Sequence, residues 1–320
     1  MGLGAVAYLR TLYPKANIIY ALPQWVAPLY SDSEVETDAT AYFPLELKST
    51  KDFIKTFFKL KKLNIDHIHE MHQTGTGAKF FAFVAFIFGI KYTAHNHHLK
   101  TKTQVLDQGL IKPLIQRDLD GVYSFLGIPG EIPHYLNYEP EIKIKNSIKC
   151  KRIIFGVVAT RHTKMWPLEN YVMLAELILK ENPECEIAIP LSKSENDRKI
   201  KAELIRLGLP EVVKFVESEL KKLPKFFSES SFYFGNDTGL KHIAVAVNLK
   251  SFTLFGPEPA NEWHPYETTN HQYFFEENLS CRTRKYHYCG LETCDLLEEN
   301  MQCMKKFTPE KAFLVIKPYM

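Results

Sequence analysis

Phe232-Tyr233-Phe234-Gly235-Asn236-Asp237-Thr238-Gly239-Leu240-Lys241-His242-Ile243-Ala244-Val245-Ala246 joins three kinds of sequence in fifteen residues. An apolar strand ends at Gly235, a small polar group makes the turn, and a helical period begins with unpaired N–H groups and the positive end of its dipole outside the strand's carboxyl end. A phosphate fits such a place: Thr238 offers a hydroxyl, Gly239 leaves room for close approach, and Leu240 and His242 lie in the first turn. By itself the same triplet is equally well an ordinary helix cap.

A second junction of this kind precedes it. Ile153 to Ala159 reads as a strand, and Thr160-Arg161-His162-Thr163-Lys164-Met165-Trp166-Pro167 leads into a helix opened by Pro167. Two such junctions in one parallel sheet converge on one crevice, where Lys164 neutralises a diphosphate and Thr160 donates a hydrogen bond.

Further strands are expected at Asn17–Leu22, Ile65–Glu70, Lys91–Ala94, Glu186–Pro190, Val212–Val216 and Ser251–Phe255. Helical periods are read at Lys51–Leu63, Gly77–Phe88, Gln104–Leu119, Asn196–Leu207 and Pro309–Ile316. This alternation is the pattern of parallel sheets covered by helices, two Rossmann-like halves with a charged linker from Glu139 to Lys151. Gly2-Leu3-Gly4 has no strand ahead of it, so it reads as a helix start rather than a dinucleotide loop.

The 320 residues carry 40 basic and 37 acidic side chains, and a net charge of +3 is too small an excess to argue for a nucleic-acid binder, so no nucleic-acid partner is expected. The first 150 residues hold 17 of the basic and 14 of the acidic groups, so an anionic partner is expected to meet the first half. The longest apolar run, Phe80 to Ile90, is eleven residues, where a spanning helix needs about 20. No secretory signal is read, and the compartment is taken as reducing cytoplasm.

The motifs Thr160-x3-Lys164-x-Trp166-Pro167, Asn236-Asp237-Thr238-Gly239-x2-His242-x-Ala244-x-Ala246 and Leu254-Phe255-Gly256-Pro257, with Trp263, Pro265 and Cys303-Met304 ahead of Thr308-Pro309-Glu310, resemble glycosyltransferase family 9, the ADP-heptose:lipopolysaccharide heptosyltransferases. The resemblance implies an α/β GT-B fold, two Rossmann-like domains facing across a cleft. It implies an acceptor domain over 1–148, a nucleotide-sugar domain over 149–307 and a closing helix over 308–320. It also implies inverting transfer of a heptose or similar sugar from a nucleotide diphosphate, ADP-heptose, to lipopolysaccharide inner core on the cytoplasmic face of the inner membrane. No cofactor or divalent metal is implied.

Carried over by position, Thr160 and Lys164 hold the diphosphate, Thr238, Gly239 and Leu240 form the phosphate-binding helix start, and Asp237 and His242 lie near the donor sugar. A ribose-binding carboxylate is expected after Pro190, with Glu195 chosen over Asp197. On the acceptor side, Leu9-Arg10-x2-Tyr13-Pro14 and His72-Gln73-Thr74-Gly75 are similar to the family's first helix and acceptor loop. Acceptor contacts are expected from His72, Lys79, His97, His98 and Lys100, with His95 and Lys102 in the same cationic cluster. Aligning on Tyr13-Pro14 puts the family's Gly-Asp pair, whose Asp is its general base, upstream of Met1; no catalytic base is assigned, and the natural frame is expected to begin further upstream.

The alternative is a GT-B protein that binds a sugar nucleotide or glycan without transfer. Lys48, Lys51, Lys55, Lys59 and Lys62 recur at helical spacing, a solvated face or a contact for anionic lipid. Cys281-x7-Cys289-x4-Cys294-x8-Cys303, with His287, lacks the close pairing of zinc modules and is read as thiols.

Overall fold

A computed structural model describes residues 1–71, 75–95, 112–283, 293–296 and 300–320. These fall into two compact units: the first comprises Met1–Ser31 and the described residues from Thr37 to Pro140, the second Asp32–Glu36 and Glu141–Met320.

The chain opens with α1 (Leu3–Leu12), in keeping with its small-residue start, and Gly4 is needed there because a Cβ would press on the Tyr138 carbonyl and Ile115. Next come β1 (Ile19–Pro23), the two-residue β2 (Val35–Glu36), β3 (Ala41–Leu45), α2 (Thr50–Lys62), β4 (His67–Glu70), α3 (Thr76–Phe88), β5 (Lys91–Ala94) and α4 (Leu114–Leu126). β1 pairs with β3 and β4 with β5, both parallel, as strand–helix alternation requires. Arg10 fastens the end of α1 by donating to the Ala16 carbonyl at 2.7 Å and the Asp38 carbonyl at 3.0 Å. α2 begins on a capping box in which Ser49 and Asp52 satisfy each other's backbone N–H groups. α3 ends on Gly89, whose φ of 63° suits glycine.

The helix expected over 104–119 is found as α4, from Leu114 to Leu126; residues 104–111 lie outside the described residues. The expected linker contains β6 (Lys143–Ile144), which pairs antiparallel with β2 inside the second unit. Lys225 fixes this ribbon through Glu34 at 2.6 Å.

The second unit is one six-stranded parallel sheet of β7 (Arg152–Gly156), β8 (Glu186–Leu191), β9 (Lys214–Glu217), β10 (Phe232–Asn236), β11 (Ser251–Phe255) and β12 (His271–Phe275), in the order β12-β11-β10-β7-β8-β9. The connecting helices are α5 (Leu168–Glu181), α6 (Glu195–Arg206), α7 (Leu223–Ser228), α8 (Gly239–Ala246) and α9 (Ala260–Trp263), followed by α10 (Gln302–Lys305) and α11 (Pro309–Ile316). Pro167 stands just ahead of α5 as its cap residue rather than as its first helical position. The core is aromatic: Trp166, Tyr171, Phe155 and Phe234 meet edge to face or tilted, all without solvent exposure. Full burial of each such ring stabilises by about 1.5–3 kcal/mol. Among the described residues no helix is long and apolar enough to cross a membrane.

Candidate active site

β7 and β10 lie side by side and parallel, with Gly235 opposite Gly156. The loops leaving them therefore emerge at one carboxyl edge. Buried Asn236 ties the two together: its amide donates to the Val157 carbonyl at 2.8 Å, and its side-chain oxygen accepts from the Trp166 backbone N–H at 2.9 Å. A Cβ on Gly156 would overlap the Tyr233 hydroxyl, which donates to the Asn236 carbonyl at 2.8 Å. The loop after β11 joins them, since a Cβ on Gly256 would stand 2.8 Å from the Thr163 carbonyl oxygen. Arg161 pairs across this junction with Glu258.

The centre of the edge is an ionic cluster. Asp237 receives Lys164 at 2.8 Å on one carboxylate oxygen and Lys241 at 2.7 Å on the other. Lys241 is wholly buried and also donates to the Trp263 carbonyl at 2.8 Å. Burial works against both charges, pulling Lys241 down and Asp237 up, but the two ammonium contacts hold the Asp237 carboxyl below its ordinary range. Two cations on one carboxylate leave a surplus of +1, to which the α8 N-terminus adds about half a charge.

The start of α8 is not capped by its own residues. Thr238 occupies the cap position without a capping hydrogen bond, and its hydroxyl oxygen is buried without a hydrogen-bond partner. Gly239 is exposed, and a Cβ there would meet nothing within 4 Å, so packing does not demand glycine and the space outside is open. Leu240 is partly exposed in the same turn. His242 lies 2.6 Å from the Tyr266 hydroxyl, and burial, then neighbouring Lys241, hold its imidazole neutral, well below the ordinary range. These features suit an anion.

Thr160 is exposed in the loop after β7. Glu195 begins α6 after β8, the strand next to β7, and its exposed carboxylate pairs with Lys199 at 2.7 Å, which holds it weakly. Asp197 is occupied by the turn, accepting from the Ser192 N–H at 2.6 Å and the Ser194 hydroxyl at 2.9 Å. Asn236 stands in the motif already read from the sequence, whereas Lys241 and Tyr266 are groups of the candidate site that sequence reasoning misses. The Asp237–Lys241 spacing of four is the signal that could have found the first of them.

In the first unit Lys79 is exposed on the first turn of α3. His72, His97, His98, Lys100 and Lys102 lie outside the described residues, as do Cys289 and His287. His95 departs from expectation: it is buried, with its Nδ1 3.0 Å from Asp118, and is not an exposed cation of a docking loop. Asp118 also faces His69 at 3.8 Å, and Thr93 bonds both His67 and His69. Burial raises the Asp118 carboxyl, but the two histidines outweigh it and hold it low. No spacing in the sequence marks this network.

The model of glycosyltransferase family 9 (heptosyltransferase) matches residues 59–290. The chain belongs to this family. Lipopolysaccharide heptosyltransferase 1 of Campylobacter coli is 30% identical over 118 residues, covering 34% of this chain and 33% of that protein. Lipooligosaccharide heptosyltransferase 2 of Haemophilus influenzae is 31% identical over 100 residues, 29% of this family 9 chain and 28% of that protein. The chain thus spans about a third of the length of the curated relatives it matches. Among solved structures, E. coli ADP-heptose lipopolysaccharide heptosyltransferase II superposes with a TM-score of 0.70 at 17% identity, covering 99% of this chain and 93% of that one. The E. coli heptosyltransferase WaaC, solved with ADP, gives 0.65 at 12%, covering 99% and 95%. The fold of this family 9 chain is accordingly GT-B, an α/β architecture with parallel sheets.

Proposed function

We propose that this chain is an inverting glycosyltransferase that moves heptose, or a closely similar sugar, from ADP-heptose to the inner core of lipopolysaccharide. The observation that carries the reading is the register of β7 on β10, which sets Lys164 and the open start of α8 at one sheet edge with a net positive charge. Thr160 and Lys164 take the diphosphate, the N–H groups of Gly239 and Leu240 and the Thr238 hydroxyl complete its cradle, and Glu195 takes the ribose. Asp237 and His242 face the donor sugar. Catalysis follows from holding two substrates together and from stabilising the departing diphosphate, whose negative charge grows as the glycosidic bond breaks.

The acceptor falls to the first unit, to Lys79 and to His72, His97, His98 and Lys100. Its place of work is the cytoplasmic face of the inner membrane, as a peripheral protein without a cofactor. Titration calorimetry with ADP tests the donor site. The Lys164→Ala variant loses a charge-assisted contact of about 1.5–3 kcal/mol, a rise in Kd of roughly ten- to a hundredfold. An unchanged Kd would overturn the donor assignment. Single turnover of labelled ADP-heptose tests transfer, and binding without turnover would leave a sugar-nucleotide binding protein instead.

A further inference from the structure

Helices α2 and α3 pack along an aromatic seam. Phe53 meets Phe80 and Phe57 meets Phe88, each pair with ring centroids 5.1 Å apart. Thr56 and Leu60 on α2, and Ala78, Phe81, Val84 and Ala85 on α3, face inward and are buried. One position beyond the seam on α2, Ile54 and Phe58 are 55% and 57% exposed. On α3, Phe83, Phe86 and Ile87 are 56%, 81% and 50% exposed. At about 100° per residue, Ile54 and Phe58 sit on the outward side of α2 next to the seam, and Phe83 and Ile87 on the outward side of α3 next to the same seam. By that spacing the five residues make up an apolar strip over the outward faces of the two packed helices, with Phe86 at its margin farthest from the seam. Single exposed apolar residues are ordinary; several gathered on two packed helices mark a surface that is covered in use.

The charge around the strip decides what covers it. α2 and α3 together hold six lysines and one acidic residue, and that residue, Asp52, is spent on the capping box. All six lysines are exposed. A second copy of the same surface would meet its own positive charge. An anionic bilayer matches on both counts, since aromatic rings settle at the boundary of headgroups and acyl chains while lysine stems lie along the apolar surface with their ammonium groups among phosphates.

We propose that the outer face of α2 and α3 seats the first unit on an anionic phospholipid bilayer, with Phe83, Phe86 and Ile87 entering the interface and Lys51, Lys55 and Lys62 pairing with headgroups. This rests on the peripheral location proposed for the transferase and is independent of the sugar transferred. The test is sedimentation of the full chain with phosphatidylcholine vesicles, with and without phosphatidylglycerol, beside light scattering of the protein alone. The expected result is binding to the anionic vesicles only, weakened by salt. F83S/F86S and K55E/K62E are each expected to lower the partition coefficient at least about tenfold while leaving ADP affinity, read in the second unit, and the unfolding midpoint as in the parent. Equal binding to neutral vesicles, parent-like binding by both variants, or a dimer that F83S/F86S dissolves would each overturn the proposal. Loss of ADP binding in the parent with vesicle binding intact would instead strike only the transferase reading.

Discussion

Asp237 accepts two lysines, and only one of them is in a position to meet a ligand. Lys164 lies in the loop after β7, whereas Lys241 is wholly buried, so its work is to hold the carboxylate that holds Lys164. Lys241→Met keeps most of the side-chain volume and leaves a buried carboxylate with one partner fewer. The expected cost is about 3–5 kcal/mol in urea unfolding. Asp237, Thr238 and Gly239 are readable in the sequence because small polar residues between a strand and a helix serve as a cap or an anion cradle and little else. Lys241 is not, because a lysine is by default a solvated residue and its partner, though four positions away, reads as a ligand group in its own right. His95 misleads for a related reason. Beside His97, His98 and Lys100 it counts as one of a group of cations, and only the fold brings Asp118, 23 residues later, against its ring.

At the scale of elements, two glycines on the same sheet edge make opposite predictions. Gly156→Ala drives a methyl into Tyr233 inside β7, and is expected to cost about 1–3 kcal/mol of stability through overpacking. A Cβ added at Gly239 meets no protein atom within 4 Å, so the unfolding free energy of Gly239→Val should stay within about 0.5 kcal/mol of the parent. ADP affinity should nevertheless fall tenfold or more, because the valine fills the space outside α8. Thermal unfolding and calorimetry on the two variants separate packing from recognition. Strands β7, β8, β10 and β11 stand out in the sequence because strands buried on both faces are near-continuous apolar runs. Others are hidden for identifiable reasons: β3 carries Pro44, β12 begins with His271 and Gln272 at the sheet edge, and β2 and β6 are two residues long.

For the molecule as a whole, acid is the informative variable. Burial is the first cause that pushes His264 down to about 3 and His271 down to about 4, from an ordinary value of 6.5. His264 Nε2 donates to the His271 carbonyl, and His271 Nδ1 lies 2.9 Å from the Ser251 hydroxyl. Both rings are neutral in the folded chain while the unfolded chain takes up protons below about 6.5, so folding is favoured fully above that pH and progressively less below it. Each ring is expected to remove about 1.4 kcal/mol per pH unit between roughly pH 6 and 4. Urea midpoints measured from pH 7.5 down to 4.5 should fall accordingly, and His264→Phe should flatten the slope.

The strand Val35–Glu36, held to Lys143–Ile144 and anchored through Glu34 and Lys225, belongs to the second unit although it lies far ahead of the rest of that unit in the chain. A gene fragment starting at Glu141 would therefore express the second unit with a bare ribbon edge and an orphaned ammonium. Supplying a peptide that covers residues 32–36 in trans should restore part of the lost stability, which makes this short crossing a natural place to split the protein for complementation.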